Sequence, residues 1–245
     1  MIMVTSPASL PESPTAIQPE ISREEKRRRW FEVFLVLAMS LGIVLLNSFY
    51  LLKNAPAAAL KMSALRSLYG FTHESLSLLL LAYVLSRRKL RLRDLGLQWS
   101  TRDVVPSIVV TVLSGLSYIG GALLIQALHY EVYGMISRGP KASQFFSNPS
   151  IWALPFVLLN PFFEELIVRA YVMTEIKELT GSTMMAIVFS VLLQASYHLY
   201  YGWVGALSIA FLFMIFAIYY SRSRRAVPII FAHAAFDLYG LFRLM

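Results

Sequence analysis

The most informative stretch of this sequence is Asn160–Arg169, which reads NPFFEELIVR. It places two carboxylates, Glu164 and Glu165, and the guanidinium of Arg169 inside an apolar segment, Ile151–Met173, that is about long enough to cross a bilayer. Each ionisable group near a bilayer centre costs about 2.5 to 3.5 kcal/mol, so such groups pair, face a wet cavity or take part in chemistry. The stretch therefore predicts a membrane helix that carries either a reactive centre or a buried network that only fixes helix packing.

Helical spacing separates the roles of the three charged groups. Glu165 and Arg169 are one turn apart on one face, with the carboxylate first, which is the favourable order for an ion pair. Glu164 lies about 100° round the helix from its neighbour and points elsewhere. We interpret Glu165 and Arg169 as a supporting structural pair and Glu164 as the working carboxylate.

The composition indicates a polytopic membrane protein. The chain of 245 residues is 57% hydrophobic and 15% charged, whereas soluble domains carry about 25% charged residues. It contains no cysteine, which excludes disulfides, thiolate metal sites and a cysteine nucleophile. We attribute the net charge of +8 to Lys and Arg on the cytoplasmic side of the spans, beside anionic lipid, and expect no nucleic-acid partner.

The apolar pattern predicts an all-α, polytopic transmembrane helical bundle of about seven spans, with six to eight possible. We expect residues 1–22 to form a disordered tail and residues 23–245 a single transmembrane domain, with its catalytic core at 150–243. The expected spans cover residues 31–52, 65–85, 104–128, 151–173, 183–200, 203–220 and 226–242.

The basic residues indicate the orientation of these spans. Most of the 22 Lys and Arg residues fall in segments that lie inside if the N-terminus is cytoplasmic. Among them, the run Arg87–Arg93 resembles a basic segment lying on the inner leaflet.

Two further polar clusters lie in predicted spans, and each contains a histidine. They are Gln194–His198, which reads QASYH, and His233–Asp237, which reads HAAFD. In each cluster the histidine is one helical turn from a polar residue. The first histidine and Glu164 are equally far from a hairpin turn at Gly181, so they should lie level. We expect these groups to form one layer near the middle of the bilayer, more open to the cytoplasmic side, although a single histidine on such a helix is usually a packing residue.

Such a layer supports more than one chemistry. A buried carboxylate can take a proton from water and return it to a leaving amine. Glu164, His198 and His233 could instead hold zinc or another divalent metal, although the helical His-Glu-x-x-His signature is missing. Intramembrane acids and histidines also relay protons in pumps.

These motifs resemble those of the CPBP family of intramembrane proteases, which groups the CAAX prenyl endopeptidases with the Abi bacteriocin-processing and immunity proteins. The resemblance extends over roughly residues 154–238. The family motif Glu-Glu-x-x-x-Arg is matched by Glu164, Glu165 and Arg169. The motif Phe-x-x-x-His is matched at His198, with Gln194 in place of the aromatic residue.

The third family motif, His-x-x-x-Asn or Asp, is matched by His233 and Asp237. The resemblance implies that Glu164 activates water with help from His198, while His233 and Asp237 stabilise the oxyanion. An ionised Asp cannot donate a hydrogen bond, so Asp237 must be protonated, orient His233 or bind a metal. The polar Gln194 is expected to enlarge or wet the pocket.

The sequence therefore predicts an intramembrane endopeptidase, of metallo or glutamic type, that acts on a membrane-associated, prenylated or peptide substrate. Its partners would be membrane lipid and a peptide or protein, and its location a bacterial plasma membrane. The alternatives are a proton-coupled transporter or channel, and a non-catalytic chaperone or immunity protein of the same fold. We interpret His73 and Glu74 as cavity-lining or packing residues and His129 as interfacial.

Overall fold

The structure is a computed structural model that describes residues 21–54, 63–133 and 150–242. The predicted tail is almost entirely outside these residues, as is the last residue of the predicted catalytic core. The side chain of His129, predicted to be interfacial, also falls outside the description.

The described residues form helices and no strand, which confirms the all-α prediction. The helices are α1 Arg23–Asn54, α2 Ala64–Arg87, α3 Val104–Tyr133, α4 Ala153–Glu164, α5 Met173–Thr180, α6 Thr183–Tyr197, α7 Gly202–Ser223 and α8 Val227–Phe242, with a π-helix at Glu165–Val172 between α4 and α5.

Several helices have the length and composition of membrane spans. Among the described residues, four are long and apolar enough to cross a bilayer, and α6 and α8 are shorter apolar helices. Large apolar side chains on the outer faces of the bundle are exposed, as expected for surfaces that contact lipid. Examples are Phe34, Leu46, Leu79, Val112, Leu116 and Leu192. The protein is an integral membrane protein with a helical bundle fold.

A central rod, residues 153–180, runs through the bundle and consists of α4, the π-helix and α5. It packs against α1, α2, α6, α7 and α8. Every residue from Phe163 to Ile176 is buried. The predicted charged span is therefore the core of the bundle, so its polar side chains can only meet other helices.

The rod departs from the regular α-helix that the spacing argument assumed. It winds as a π-helix from Glu165 to Val172, where hydrogen bonds join residues five apart and the turn is wider. Pro161 lies just before this segment and supplies no backbone N–H, so the regular bonding is already interrupted there. The predicted ion pair survives this change, because Arg169 Nε lies 3.4 Å from Glu165 Oε2.

The predicted hairpin after the rod is present. Gly181 ends α5 with a left-handed φ of 75°, and its N–H donates to Lys177 O at 2.8 Å. The Ser182 hydroxyl then accepts the backbone N–H of Met185 and begins α6. Because α6 returns antiparallel to the rod, its far end comes level with the charged part of the rod.

Buried ion pairs join α1, α2 and α5 at the end of the bundle away from this charged layer. Arg29 Nε donates to Glu175 Oε2 at 2.8 Å, and Arg88 Nη1 donates to Glu175 Oε1 at 2.5 Å. Arg29 also pairs with Glu178. Within the run Arg87–Arg93, Arg88 turns its side chain into the bundle, because it pairs with the buried carboxylate of Glu175.

A second ion pair fixes the start of α3 to the turn between α7 and α8. Arg225 donates through Nε and Nη2 to the two carboxylate oxygens of Asp103, at 2.6 Å each. These hydrogen bonds raise the pKa of Arg225 above its usual value. The pair is bidentate, which is the strongest geometry for a guanidinium and a carboxylate.

Candidate active site

A cavity of about 320 Å³ lies between α1, α2, α4, α6 and α8. Its polar wall includes all the side chains that the sequence predicts to be catalytic, contributed by the rod, the end of α6 and α8. These are Glu164, His198, His233 and Asp237. The level arrangement expected from the hairpin is present, because Glu164 and His198 border the same space.

Two donors from α6 hold the carboxylate of Glu164. The Tyr197 hydroxyl donates to Oε2 at 2.8 Å, and the side-chain amide of Gln194 donates to the same oxygen. Both donors are neutral, and the carboxylate is 6% exposed. Hydrogen bonds of this kind favour the charged form of a buried carboxyl group and fix its orientation.

Gln194 also contacts the cation of the rod. Its side-chain oxygen accepts a hydrogen bond from Arg169 Nη1 while its amide donates to Glu164. The side chain is fully buried and does not line the cavity. The expectation that Gln194 enlarges or wets the pocket is therefore wrong, because both ends of the amide are held by charged neighbours.

The hydrogen bonding of His198 determines its tautomer. Its Nδ1 lies 2.9 Å from the backbone carbonyl of Gln194, and a carbonyl oxygen only accepts. Nδ1 therefore carries the proton, and in the neutral ring Nε2 is the acceptor. The ring is packed against Tyr197, Tyr201 and Phe213, which leaves it little rotational freedom.

The pair of Glu165 and Arg169 is fully buried behind the cavity wall. Glu165 Oε1 lies 2.8 Å from Nδ1 of His233, so one carboxylate contacts both a guanidinium and an imidazole. The guanidinium also stacks over the ring of Phe213 at 4.5 Å. Glu165 thus connects the rod to α8 and sets the direction of the His233 ring.

Asp237 lies on the other side of His233. Its Oδ1 is 3.6 Å from His233 Nε2, one helical turn away as the spacing predicted. Its Oδ2 accepts a hydrogen bond from the side-chain amide of Asn160 at 3.1 Å. His233 therefore sits between two carboxylates, an arrangement that favours a ring with protons on both nitrogens.

The residues closest to a metal-binding arrangement are Glu164, Glu165 and His233, whose potential ligand atoms lie within 4.8 Å of one another. His198, which the sequence placed in the ligand set, is not in this group. As arranged, Glu165 is already paired with Arg169 and with the imidazole. A nitrogen that donates its proton to a carboxylate has no lone pair for a metal, so His233 could bind a cation only through Nε2.

Four further side chains in this region were not assigned a catalytic role from the sequence. Tyr197 and Asn160 contact the predicted catalytic carboxylates. Asn160 precedes Glu164 by one helical turn, and that spacing was the available signal. Glu74 reaches the cavity from α2, as does His73, which agrees with their predicted cavity-lining role.

The cavity occupies a different half of the bundle from the one expected. Its walls come from the second half of α1, between Leu41 and Leu51, and from the first half of α2, between Arg66 and Glu74. Both parts are remote from the basic ends of these helices. With those ends inside, the cavity lies in the outer half of the bundle, contrary to the expected cytoplasmic opening.

A comparison with protein families agrees with this site. Residues 146–239 match the family model described as type II CAAX prenyl endopeptidase Rce1-like. No curated protein and no solved structure matches the chain. The matched segment contains every predicted catalytic residue, and the activity that goes with it at the family level is that of a CAAX-type intramembrane endopeptidase. Over residues 146–239, the chain is therefore similar to the CAAX-type proteases of the CPBP family.

Proposed function

We propose that the protein hydrolyses a peptide bond of a membrane-associated substrate with a water molecule activated jointly by Glu164 and His198. The observation that carries this proposal is the convergence of the two side chains on one cavity, each already oriented. Glu164 is held through one carboxylate oxygen, and His198 presents Nε2 as an acceptor. Together they supply the base that water needs.

The reaction follows from these groups. A proton passes from water to the Glu164 and His198 pair while the water oxygen bonds to the substrate carbonyl carbon. The carbonyl oxygen becomes an oxyanion. When the carbon–nitrogen bond breaks, the stored proton passes to the leaving nitrogen, which departs as an amine. Protons and electrons balance without an additional reactant.

His233 and Asp237 are suited to the oxyanion. With Nδ1 donating to Glu165, a doubly protonated His233 can donate from Nε2 to a developing negative charge. Asp237 then acts on the ring and is itself oriented by Asn160. Of the three roles considered for Asp237, orientation of His233 agrees best with these contacts.

A divalent metal, if bound, would supply a Lewis acid for the carbonyl and a more acidic water. Because Glu165 is already paired with Arg169 and with His233, we propose the metal-free reaction. We therefore expect activity to survive dialysis against a chelator, and the purified protein to contain much less than one equivalent of zinc by elemental analysis. Loss of activity on chelation with recovery on adding zinc would refute the glutamic mechanism.

The family match and the apolar exterior support a substrate that is itself membrane-bound, such as a prenylated peptide. A bacterial plasma membrane is the location that the short loops and basic helix ends favour.

The decisive experiment uses purified protein in nanodiscs and a fluorogenic farnesylated CAAX peptide. Glu164→Gln keeps the shape of the side chain and removes its basicity, and we expect a rate at least about 100-fold lower, as for loss of a general base. Glu178→Gln, at a half-exposed acid far from the cavity, is the matched control. Proteolysis that persists in Glu164→Gln, or proton flux in liposomes without proteolysis, would contradict the proposal and favour a transporter.

A further inference from the structure

Glu74 is a buried acid on the cavity wall that the proposed mechanism does not use. It is 4% exposed and reaches the cavity from α2. Within the described part of the chain, its Oε2 has no hydrogen-bond partner. The adjacent His73 also lines the cavity, and its Nε2 lies 3.4 Å from the backbone carbonyl of Met39 on α1.

The charges that face the cavity are unbalanced. Among the described lining residues, the carboxyl side chains are Glu74, Glu164 and Asp237. Arg66 is the single Lys or Arg among them, and His233, which is assigned two protons, lies between Glu165 and Asp237. Arg66 is exposed and begins α2, about 12 Å along the helix from Glu74 at 1.5 Å per residue. Among the described residues, neither of these cations is therefore a dedicated partner of Glu74.

The position of Glu74 is fixed by close packing of its helix. One turn earlier, Gly70 lets α2 approach the ring of Phe156 on α4, where a Cβ atom would come within 2.5 Å of Phe156 Cε2. A buried carboxyl group without a partner is unfavourable, and that cost is removed when a ligand supplies a cation or a hydrogen-bond donor. Because close packing holds Glu74 in the cavity wall, the cavity favours a ligand that carries a cation or a hydrogen-bond donor.

We propose that Glu74 forms a subsite for a cationic group of the substrate, an ammonium or guanidinium on a side chain near the scissile bond. This inference rests on the proposed proteolytic function for its biological setting, but its chemistry can be tested without catalysis. The ligand cation would enter a cavity whose volume, about 320 Å³, is at the lower end of the range for small-ligand pockets.

The first test measures binding by thermal unfolding of the detergent-purified protein, with n-butylammonium chloride as the probe. n-Butanol and sodium chloride at equal concentrations are the reference additives. We expect the ammonium to raise Tm of the wild-type protein above both references, because a ligand stabilises the state that it binds. The rise should be lost in Glu74→Gln and retained in Ser77→Ala, a buried position one turn along α2.

Inactive protein separates this inference from the proposed function. Glu164→Gln should still respond to n-butylammonium if Glu74 is the site, even though it no longer cleaves peptide. No rise in wild-type protein, or an equal rise in Glu74→Gln, overturns the proposal. Glu74→Met provides a second variant without the carboxyl group if Glu74→Gln is too unstable to measure.

The second test compares two farnesylated peptides that differ only in lysine or norleucine next to the scissile bond. The ratio of their kcat/KM values should fall about tenfold in Glu74→Gln, because a buried charge pair is lost for lysine alone. The subsite would be refuted if the ratio of the two kcat/KM values were the same in Glu74→Gln and wild type, with the lysine or norleucine placed on either side of the scissile bond. Failure of Glu164→Gln to abolish cleavage would instead contradict the catalytic assignment and leave the ammonium response intact.

Discussion

Gln194 donates its side-chain amide to the carboxylate of Glu164, across the contact between α6 and the central rod. The same side chain accepts a hydrogen bond from Arg169. The guanidinium of Arg169 therefore helps to orient the carboxylate of Glu164 through the side-chain amide of Gln194, which is neutral. This link occupies the position where the family pattern has an aromatic residue.

The bridge predicts the effect of Gln194→Glu. The new side chain can still accept from Arg169, but when ionised it cannot donate to Glu164 and places a like charge beside it. We expect kcat to fall about 10- to 100-fold, as for loss of a hydrogen bond to a charged group. Ser190→Ala, a buried position one turn earlier on α6, is the control and should keep its activity. Equal kcat values for Gln194→Glu and wild type would show that the bridge has no part in catalysis.

The contact between Asp237 and Asn160 predicts that two substitutions of Asp237 reduce activity to different extents. Asp237→Asn keeps an oxygen that can accept from Asn160, so we expect activity within about tenfold of wild type. Asp237→Ala removes that contact and the neighbour of His233, and a loss of about 100-fold is expected. Steady-state kinetics on the farnesylated peptide compares the activities of the two variants. A more damaging Asp237→Asn than Asp237→Ala would rule out an orienting role.

The contact between Gly70 and Phe156 predicts a stability effect with a specific rescue. Gly70→Ala introduces a methyl group against the Phe156 ring, and overpacking of this kind costs about 1 to 3 kcal/mol. Tm in detergent should fall. Adding Phe156→Leu, which removes the far edge of the ring, should restore part of the loss. If the two substitutions were simply additive, the close approach of α2 to α4 would not be the cause.

The ion pairs around Glu175 predict that this acid stabilises the bundle. Glu175→Gln removes the carboxylate that pairs with Arg88 and one of the two carboxylates that pair with Arg29. Breaking a buried pair typically destabilises by about 3 to 5 kcal/mol. Glu178→Gln affects a half-exposed acid and should cost less than about 1 kcal/mol. Thermal unfolding of both variants tests the difference, and equal Tm values would contradict the proposed importance of burial.

Local spacing was sufficient for the parts of the site that lie on one helix or one hairpin. Glu165 and Arg169 form the pair expected from their separation. His233 and Asp237 are neighbours for the same reason. The stop at Gly181 made α6 antiparallel to the rod, which brought Glu164 and His198 level. Each of these relationships depends on the fixed rise and turn of helices, so residue counting could predict it.

Contacts between helices that are distant in the chain required the tertiary structure. The Gln194 bridge depends on which way α6 is rotated against the rod, and Glu74 reaches the cavity only because α2 packs closely on α4. The side on which the cavity lies depends on where each helix ends. Sequence alone determined an apolar helical bundle with acids and histidines at one depth, because hydrophobicity and helical periodicity are local properties. Rotation and packing between helices are collective properties of the bundle, and they decided which of those groups touch.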